Sequence, residues 1–383
     1  MVPKGWLKYS VGELCTSIVP GRNKPKVFDG DIPWVTTPEI NGRYIPSKLQ
    51  VNYVSTTALS DAGGKIVPQG AVVMAAVGEL GLIAITSEPV VLNQQLHAFV
   101  CSKLVNNEYL AYWLTTQKPY MESIASKTTI PYINKTNCES IPVLLPPLAE
   151  QFKIAQILLT WDKAISVTEK LLTNSQLQKK ALMQQLLTGR KRLLNENGVR
   201  FNGKWEKKLL SDVADVYQPK TISQSMMSDS GYPVYGANGV IGFYQEFNHE
   251  TEQIAVTCRG STCGIVNWTQ AKSWITGNAM VINTDNYSYV SKKFLFYTLN
   301  GNDLKYLISG SGQPQITGNI KTHIINLPCI EEQQKIATVL SAADAEISTL
   351  EKKIACLKDE KKALMQQLLT GKRRVKVDEA VAA

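Results

Sequence analysis

The sequence predicts a mixed α/β (α+β) protein, with two strand-rich modules separated by two long antiparallel coiled-coil helices in an internal pseudo-two-fold repeat. Three observations predict it. Residues 150–189 and 332–371 align without a gap at an offset of 182, and 22 of the 40 aligned positions are identical. Both copies carry apolar residues at alternating spacings of four and three, the period of a coiled-coil seam. The stretches ahead of them each hold apolar runs of strand length, broken by turn residues.

The helices are the clearest elements. Neither copy contains proline, or glycine before Gly189 and Gly371, and glycine commonly ends a helix. In the second copy the seam runs Ile336, Leu340, Ala343, Ile347, Leu350, Ile354, Leu357, Leu364 and Leu368. In the first it runs Ile154, Leu158, Trp161, Ile165, Thr168, Leu172, Ser175, Leu182 and Leu186, weakened at Thr168 and Ser175. Lys179 and Lys361 interrupt both seams at the same place. Each is either a snorkelling side chain or a pin that fixes the register. Ile157, Leu159, Val167 and Leu171 lie off the seam, free to meet a partner. A helix of roughly 40 residues is about 60 Å long, more than a compact domain needs. The pair therefore reads as struts that hold two other parts apart.

The modules echo one another. Each opens on a tryptophan and a strand-and-turn pattern, GWLKYSVGEL at 5–14 and KWEKKLLSDV at 204–213. Strand-length runs follow at 51–54, 71–77, 82–86 and 96–100, then at 239–244, 254–258, 263–268 and 279–283. Their Val, Ile, Thr and aromatic content favours strands. A short helix is predicted over 107–116 and again over 291–300, and a proline-bracketed exit leads into each strut, at 141–151 and 325–334. Module, strut, module, strut closes on itself if the last strut returns to the first residues, so the termini are expected close together, and circular permutation in the 190–204 linker should be tolerated.

At 383 residues, two or three domains are expected. No signal-peptide pattern opens the chain and no apolar run is long enough to span a bilayer. The seven cysteines are scattered without a CxxC pair or a histidine at zinc spacing, so free thiols, no metal site and a cytoplasmic setting are expected. Net charge is +9, of which the struts carry +1. The remaining +8 lies outside the struts, and excess positive charge there suits a polyanion.

Catalytic signatures are missing. There is no GxxxxGK[ST] loop, no strand followed by GxGxxG, and no [DN]-Pro-Pro-aromatic motif. His97, His249 and His323 lie far apart and none is flanked by a nucleophile pattern. The chain reads as one that does no chemistry by itself and needs no cofactor. What remains is a set of turns that mix cations, amides and hydroxyls, side chains suited to base edges and phosphates. The candidates for DNA contact in the first module are Arg22, Lys24, Arg43, Tyr44, Asn93, Gln95, Lys127, Thr129, Tyr132 and Lys135. In the second they are Lys220, Tyr235, Asn238, Arg259, Ser261, Asn278, Ser311, Gln313, Gln315 and Lys321. KTTIPYIN and SGSGQPQIT occupy the same place in both halves, as do LNQQL and TGNAM. A shared frame with different letters is what a reader of two unlike half-sites would need.

The order of modules and helices, the PPLAEQ and EEQQKIA helix starts, and the run KKALMQQLLTG closing both helices resemble the specificity subunit of type I restriction–modification enzymes. The resemblance covers nearly the whole chain. It implies target recognition domains over 1–147 and 190–330 (linker included), spacer helices over 148–189 and 331–371, and a tail over 372–383. It implies that each recognition domain reads one half of a split, asymmetric site in double-stranded DNA. It also implies that the helices set the gap and dock two methyltransferase subunits, which hold S-adenosylmethionine, and that restriction and translocase subunits join through that core. On this reading the subunit has no reaction and no membrane partner. The alternatives are a coiled-coil scaffold whose modules bind protein without reading DNA, and an unrecognised hydrolase.

Overall fold

The structure, a computed structural model, describes residues 2–21, 23–237, 239–310 and 313–377. Each of the eight strand-length runs contains a strand, among them Val72–Ala75, Leu96–Cys101, Ile254–Thr257 and Ala279–Asn283. Both short helices form, as Asn107–Thr116 and Lys292–Gly301. Each has an N-cap that its sequence supplies: Asn106 accepts from the Tyr109 amide, and Ser291 from the Phe294 amide. The two struts are single helices, Leu148–Leu186 and Ile330–Leu369. Gly189 and Gly371 follow them with φ of +69° in both cases, a left-handed turn that suits glycine.

The chain divides into two compact units, one formed by residues up to Val167 and from Ile354 on, the other by Thr168–Lys353. Each unit therefore takes a whole strand-rich module, the start of one long helix and the end of the other.

In the first unit, Leu7–Ser10 pairs antiparallel with Pro142–Leu145. Only an exit was expected there; Pro142 stands at the first position of its strand, where its missing N–H costs little. A five-stranded sheet runs in the order Cys15–Ile18, Leu96–Cys101, Val72–Ala75, Ile83–Thr86, Tyr44–Ile45. A second sheet runs Tyr53–Val54, Ile32–Val35, Val90–Leu92, Ile66–Val67. Val72, Met74 and Phe99 of the larger sheet pack with Tyr109, Leu110 and Leu114 of the short helix. Ile154, Leu158, Leu368 and Leu369 of the long helices join the same core. Ile157 and Leu159, expected to be free for a partner, pack against this core instead, whereas Val167 is 48% exposed.

The second unit repeats the plan. Glu206–Leu209 pairs with Ile324–Leu327. A four-stranded sheet runs Asp215–Tyr217, Ala279–Asn283, Ile254–Thr257, Val266–Trp268, and a three-stranded one runs Gly239–Tyr244, Tyr232–Gly236, Trp274–Ile275. Phe294, Leu295 and Leu299 of the short helix pack with Leu186, Ile336 and Leu340 of the long ones.

Within each unit the long-helix segments run antiparallel. In the first, Asp162 meets Lys361 while Glu150, earlier in its helix, meets Arg374, later in the chain. In the second, Lys179 meets Asp344 and Arg192 meets Glu332. The seam positions are buried or half-buried along both helices. The two seam lysines are not snorkelling freely: each ends on an aspartate, which also accepts from a tyrosine of the short helix. Tyr112 donates to Asp162 at 2.5 Å and Tyr297 to Asp344 at 2.6 Å. Burial first, then these aspartates, pushes both phenols well above the ordinary tyrosine range.

A second set of polar contacts fastens the start of each long helix to its module. Glu150 and Glu332 are buried, at 4% and 0% exposure. Glu150 accepts from Trp6 Nε1 at 3.0 Å and from Arg374 at 2.6 and 2.8 Å. Glu332 accepts from Trp205 Nε1 at 3.2 Å and from Arg192 at 2.6 Å through each of two nitrogens. The following residues do the same with backbone. The Gln151 side-chain oxygen Oε1 accepts from the Asn106 amide and Gln333 Oε1 from the Ser291 amide, both at 2.8 Å. Arg374 also donates to the Lys4 carbonyl at 2.9 Å, so the residues after the second helix lie against those that begin the chain, as expected.

Candidate nucleic-acid interface

Antiparallel strands bring their connecting loops to one end of a sheet, and each module gathers three loops in this way. In the first, Val72–Ala75 runs out at Ala76 beside the turn that starts Leu96–Cys101. The Ala76 amide donates to the Gln95 carbonyl at 2.8 Å, and the Ala76 carbonyl accepts from the Ile133 amide at 2.8 Å. Beyond it, the Gly78 amide donates to the Pro131 carbonyl at 2.9 Å. The second module repeats each bond. The Cys258 amide donates to the Asn278 carbonyl, its carbonyl accepts from Ile316, and the Gly260 amide donates to Pro314, all at 3.0 Å. Even the approach to the middle loop matches: Asn93 donates to Val35 at 3.0 Å and Thr276 to Tyr235 at 2.9 Å.

The frames coincide and the side chains do not. Where Val77 faces Tyr132 across the first pair of loops, Arg259 faces Gln315 across the second. Gly-Glu-Leu-Gly at 78–81 stands against Gly-Ser-Thr-Cys-Gly at 260–264.

With this geometry in hand, comparison with known proteins is decisive. A family model described as the type I restriction modification DNA specificity domain matches twice, at residues 3–175 and 202–358. The chain belongs to the type I restriction–modification specificity family. Its relatives include the EcoprrI specificity subunit of Escherichia coli, 25% identical over 363 residues, covering 88% of this chain and 87% of that one. The MjaVIII specificity subunit of Methanocaldococcus jannaschii is 26% identical over 306 residues, 72% of each chain. Among solved structures, the fold resembles the S subunit from M. genitalium, with a TM-score of 0.67 at 15% identity over 96% of both chains.

The specificity-family fold puts most of the sequence candidates on the loop ends. Lys24, Lys127, Thr129 and Tyr132 are exposed in the first module, as are Lys220, Arg259, Ser261, Asn278, Gln313 and Gln315 in the second. Lys135 and Lys321 are exposed on short helical segments, and Lys135 lies 3.5 Å from Glu139. Arg22, Asn238 and Ser311 fall outside the described residues.

Three candidates sit elsewhere. Arg43 donates through Nε to Glu108 at 2.7 Å, and its guanidinium lies 3.6 Å over the Tyr112 ring. Tyr44 donates to the same carboxylate at 2.7 Å, and this contact, after burial, raises its phenol. Both side chains are spent on the short helix. Tyr235 is a correction: at 6% exposure it packs with Ala255, Ile275 and Val281, and its hydroxyl accepts from the Gln270 amide. An aromatic at the end of a strand reads alike from sequence whether it faces the core or a groove.

A cleft of about 300 Å³ lies beside the first module's middle loop, lined by Lys24, Trp34, Thr36, Asn93, Gln94 and Gln95. Two of the larger clefts along the long helices match one another. In the first unit one of about 740 Å³ is lined by Lys361, Lys362, Met365 and Gln366 with Asp162 and Ile165. In the second, one of about 850 Å³ is lined by Lys179, Lys180, Met183 and Gln184 with Asp344 and Ile347. These are the same residues at an offset of 182. The repeat of this run is plain in the sequence, whereas the open face it presents depends on the fold. Among the described residues no helix is long and apolar enough to cross a membrane, and no group of His, Cys, Asp and Glu is placed to hold a metal ion.

Proposed function

We propose that the chain is the non-catalytic DNA-reading subunit of a type I restriction–modification complex, each module recognising one half of a bipartite, asymmetric site in double-stranded DNA. The observation that carries this is the doubled loop frame with unlike side chains: one docking geometry, two sets of letters. Exposed cations on the loops, such as Lys24, Lys127 and Lys220, supply phosphate affinity, while exposed amides and Arg259 read base edges. The long helices fix the gap between the half-sites. The two matching clefts, lined by identical lysine, methionine and glutamine side chains, support docking of two copies of one partner, the methyltransferase subunit. Restriction and translocase subunits join through it.

The test is enrichment of a randomised duplex DNA library on the purified chain over a series of salt concentrations. A split motif and a steep decline of affinity with salt are expected. A protein-binding scaffold would enrich no motif and show a flat salt response.

A further inference from the structure

We propose that Gln94 is a specificity-determining residue of the first module, taking the N6 and N7 edge of an adenine in the DNA major groove; this rests on the DNA-reading proposal above. Its neighbours are the obvious amides, and both are occupied. Asn93 Oδ1 accepts from the Gln95 amide at 3.1 Å, and Asn93 Nδ2 donates to Gln95 Oε1 at 3.3 Å. The same Gln95 oxygen accepts from the Thr37 hydroxyl at 3.1 Å. With both lone pairs of that oxygen engaged by protein donors, Gln95 has no acceptor left to face an adenine amino group. Gln94 stands between them, exposed, and among the described residues its amide has no protein partner. It keeps both a donor and an acceptor, the pair that an adenine edge requires. The locked neighbours fix the turn from which it projects, beside Lys24 and Thr36.

The second module cannot repeat the contact. There Gly277 takes the place of Gln94, and a Cβ on it would lie 2.5 Å from Thr221 Oγ1 and 2.9 Å from the Pro219 carbonyl. The next residue, Asn278, is exposed instead. The two half-sites are therefore read from different positions of one frame, and the adenine preference belongs to the first half-site alone.

The experiment is randomised duplex DNA enrichment on the full chain and on Gln94→Ala, with a thermal midpoint for each. The wild type is expected to prefer adenine at one first-half position by about tenfold or more. Gln94→Ala should lose that preference there and keep every other position, the salt slope and the midpoint. An unchanged motif, or a uniform loss at all positions, overturns the role of Gln94 and leaves the DNA-reading proposal standing. A wild type that enriches no motif overturns both.

Discussion

Arg374 grips Glu150 from the far end of the sequence, with Nε at 2.6 Å and a terminal nitrogen at 2.8 Å. Arg192 does the same to Glu332. In both cases the carboxylate is buried and the indole of the module's first tryptophan is a third donor. Removing the arginine strands a buried charge.

Arg192→Ala should lower the stability of its unit by about 3 kcal/mol, read as a drop in the denaturant midpoint. Arg374→Ala should cost less, because its side chain is 45% exposed against 20% for Arg192, and solvent screens the pair. Equal midpoints for the two variants and the wild type would show that the indoles alone satisfy the carboxylates.

The lysine–aspartate contacts on the seam are testable by a double-mutant cycle on Lys361→Met and Asp162→Asn. A coupling of about 1 kcal/mol is expected, above that of a surface pair because both side chains are partly covered. Additive losses would return Lys361 to the snorkelling role.

Arg259→Ala and Lys127→Ala should separate the two kinds of DNA contact. Loss of Arg259 should relax the preference at one base position, with the salt slope little changed. Loss of Lys127 should weaken all sequences alike and reduce the slope by about one unit. If both behaved as Lys127 is expected to, the base-reading role of Arg259 would fall.

Stability should decline below about pH 6.5. His97, His249 and His323 all have pKa values lowered from 6.5, chiefly by burial. His323 is held between Tyr306 and Asn302, and His249 against Tyr217 and Asn248. A histidine that is harder to protonate when folded contributes in full above its unfolded value and loses that contribution as pH falls toward the folded one. His323→Gln should flatten the lower limb of a midpoint-against-pH curve; a limb of unchanged steepness would remove His323 from the account.

A permutant opened at 200 and joined across the present ends should fold, since Lys4 and Arg374 already touch. A midpoint close to the parent is the expected reading, and an insoluble product the contrary one.

Much of this was legible because periodicity survives in sequence. The long helices, the eight strand-length runs and the paired loops follow from spacing and turn residues, which are local properties. The assignment of single side chains was not legible, because it depends on what stands opposite. Nothing near Arg43 or Tyr44 in the chain announces Glu108, which is 65 residues from Arg43. The sequence singles out Asn93 and Gln95 rather than Gln94, because the bonds by which those two hold each other are not visible in it. The Trp–Glu–Arg clusters left a trace, in that each tryptophan opens a module and each arginine stands three residues after a helix-ending glycine, but only the fold makes the three one contact.

The division into units has a consequence for dissection of the chain. A fragment ending at 189 carries a helix end that folds with the module following it, since residues 168–189 belong to the second unit, and it lacks the stretch from Ile354 on that completes the first. Such a half could close its core only by trading helix ends with a second copy of itself.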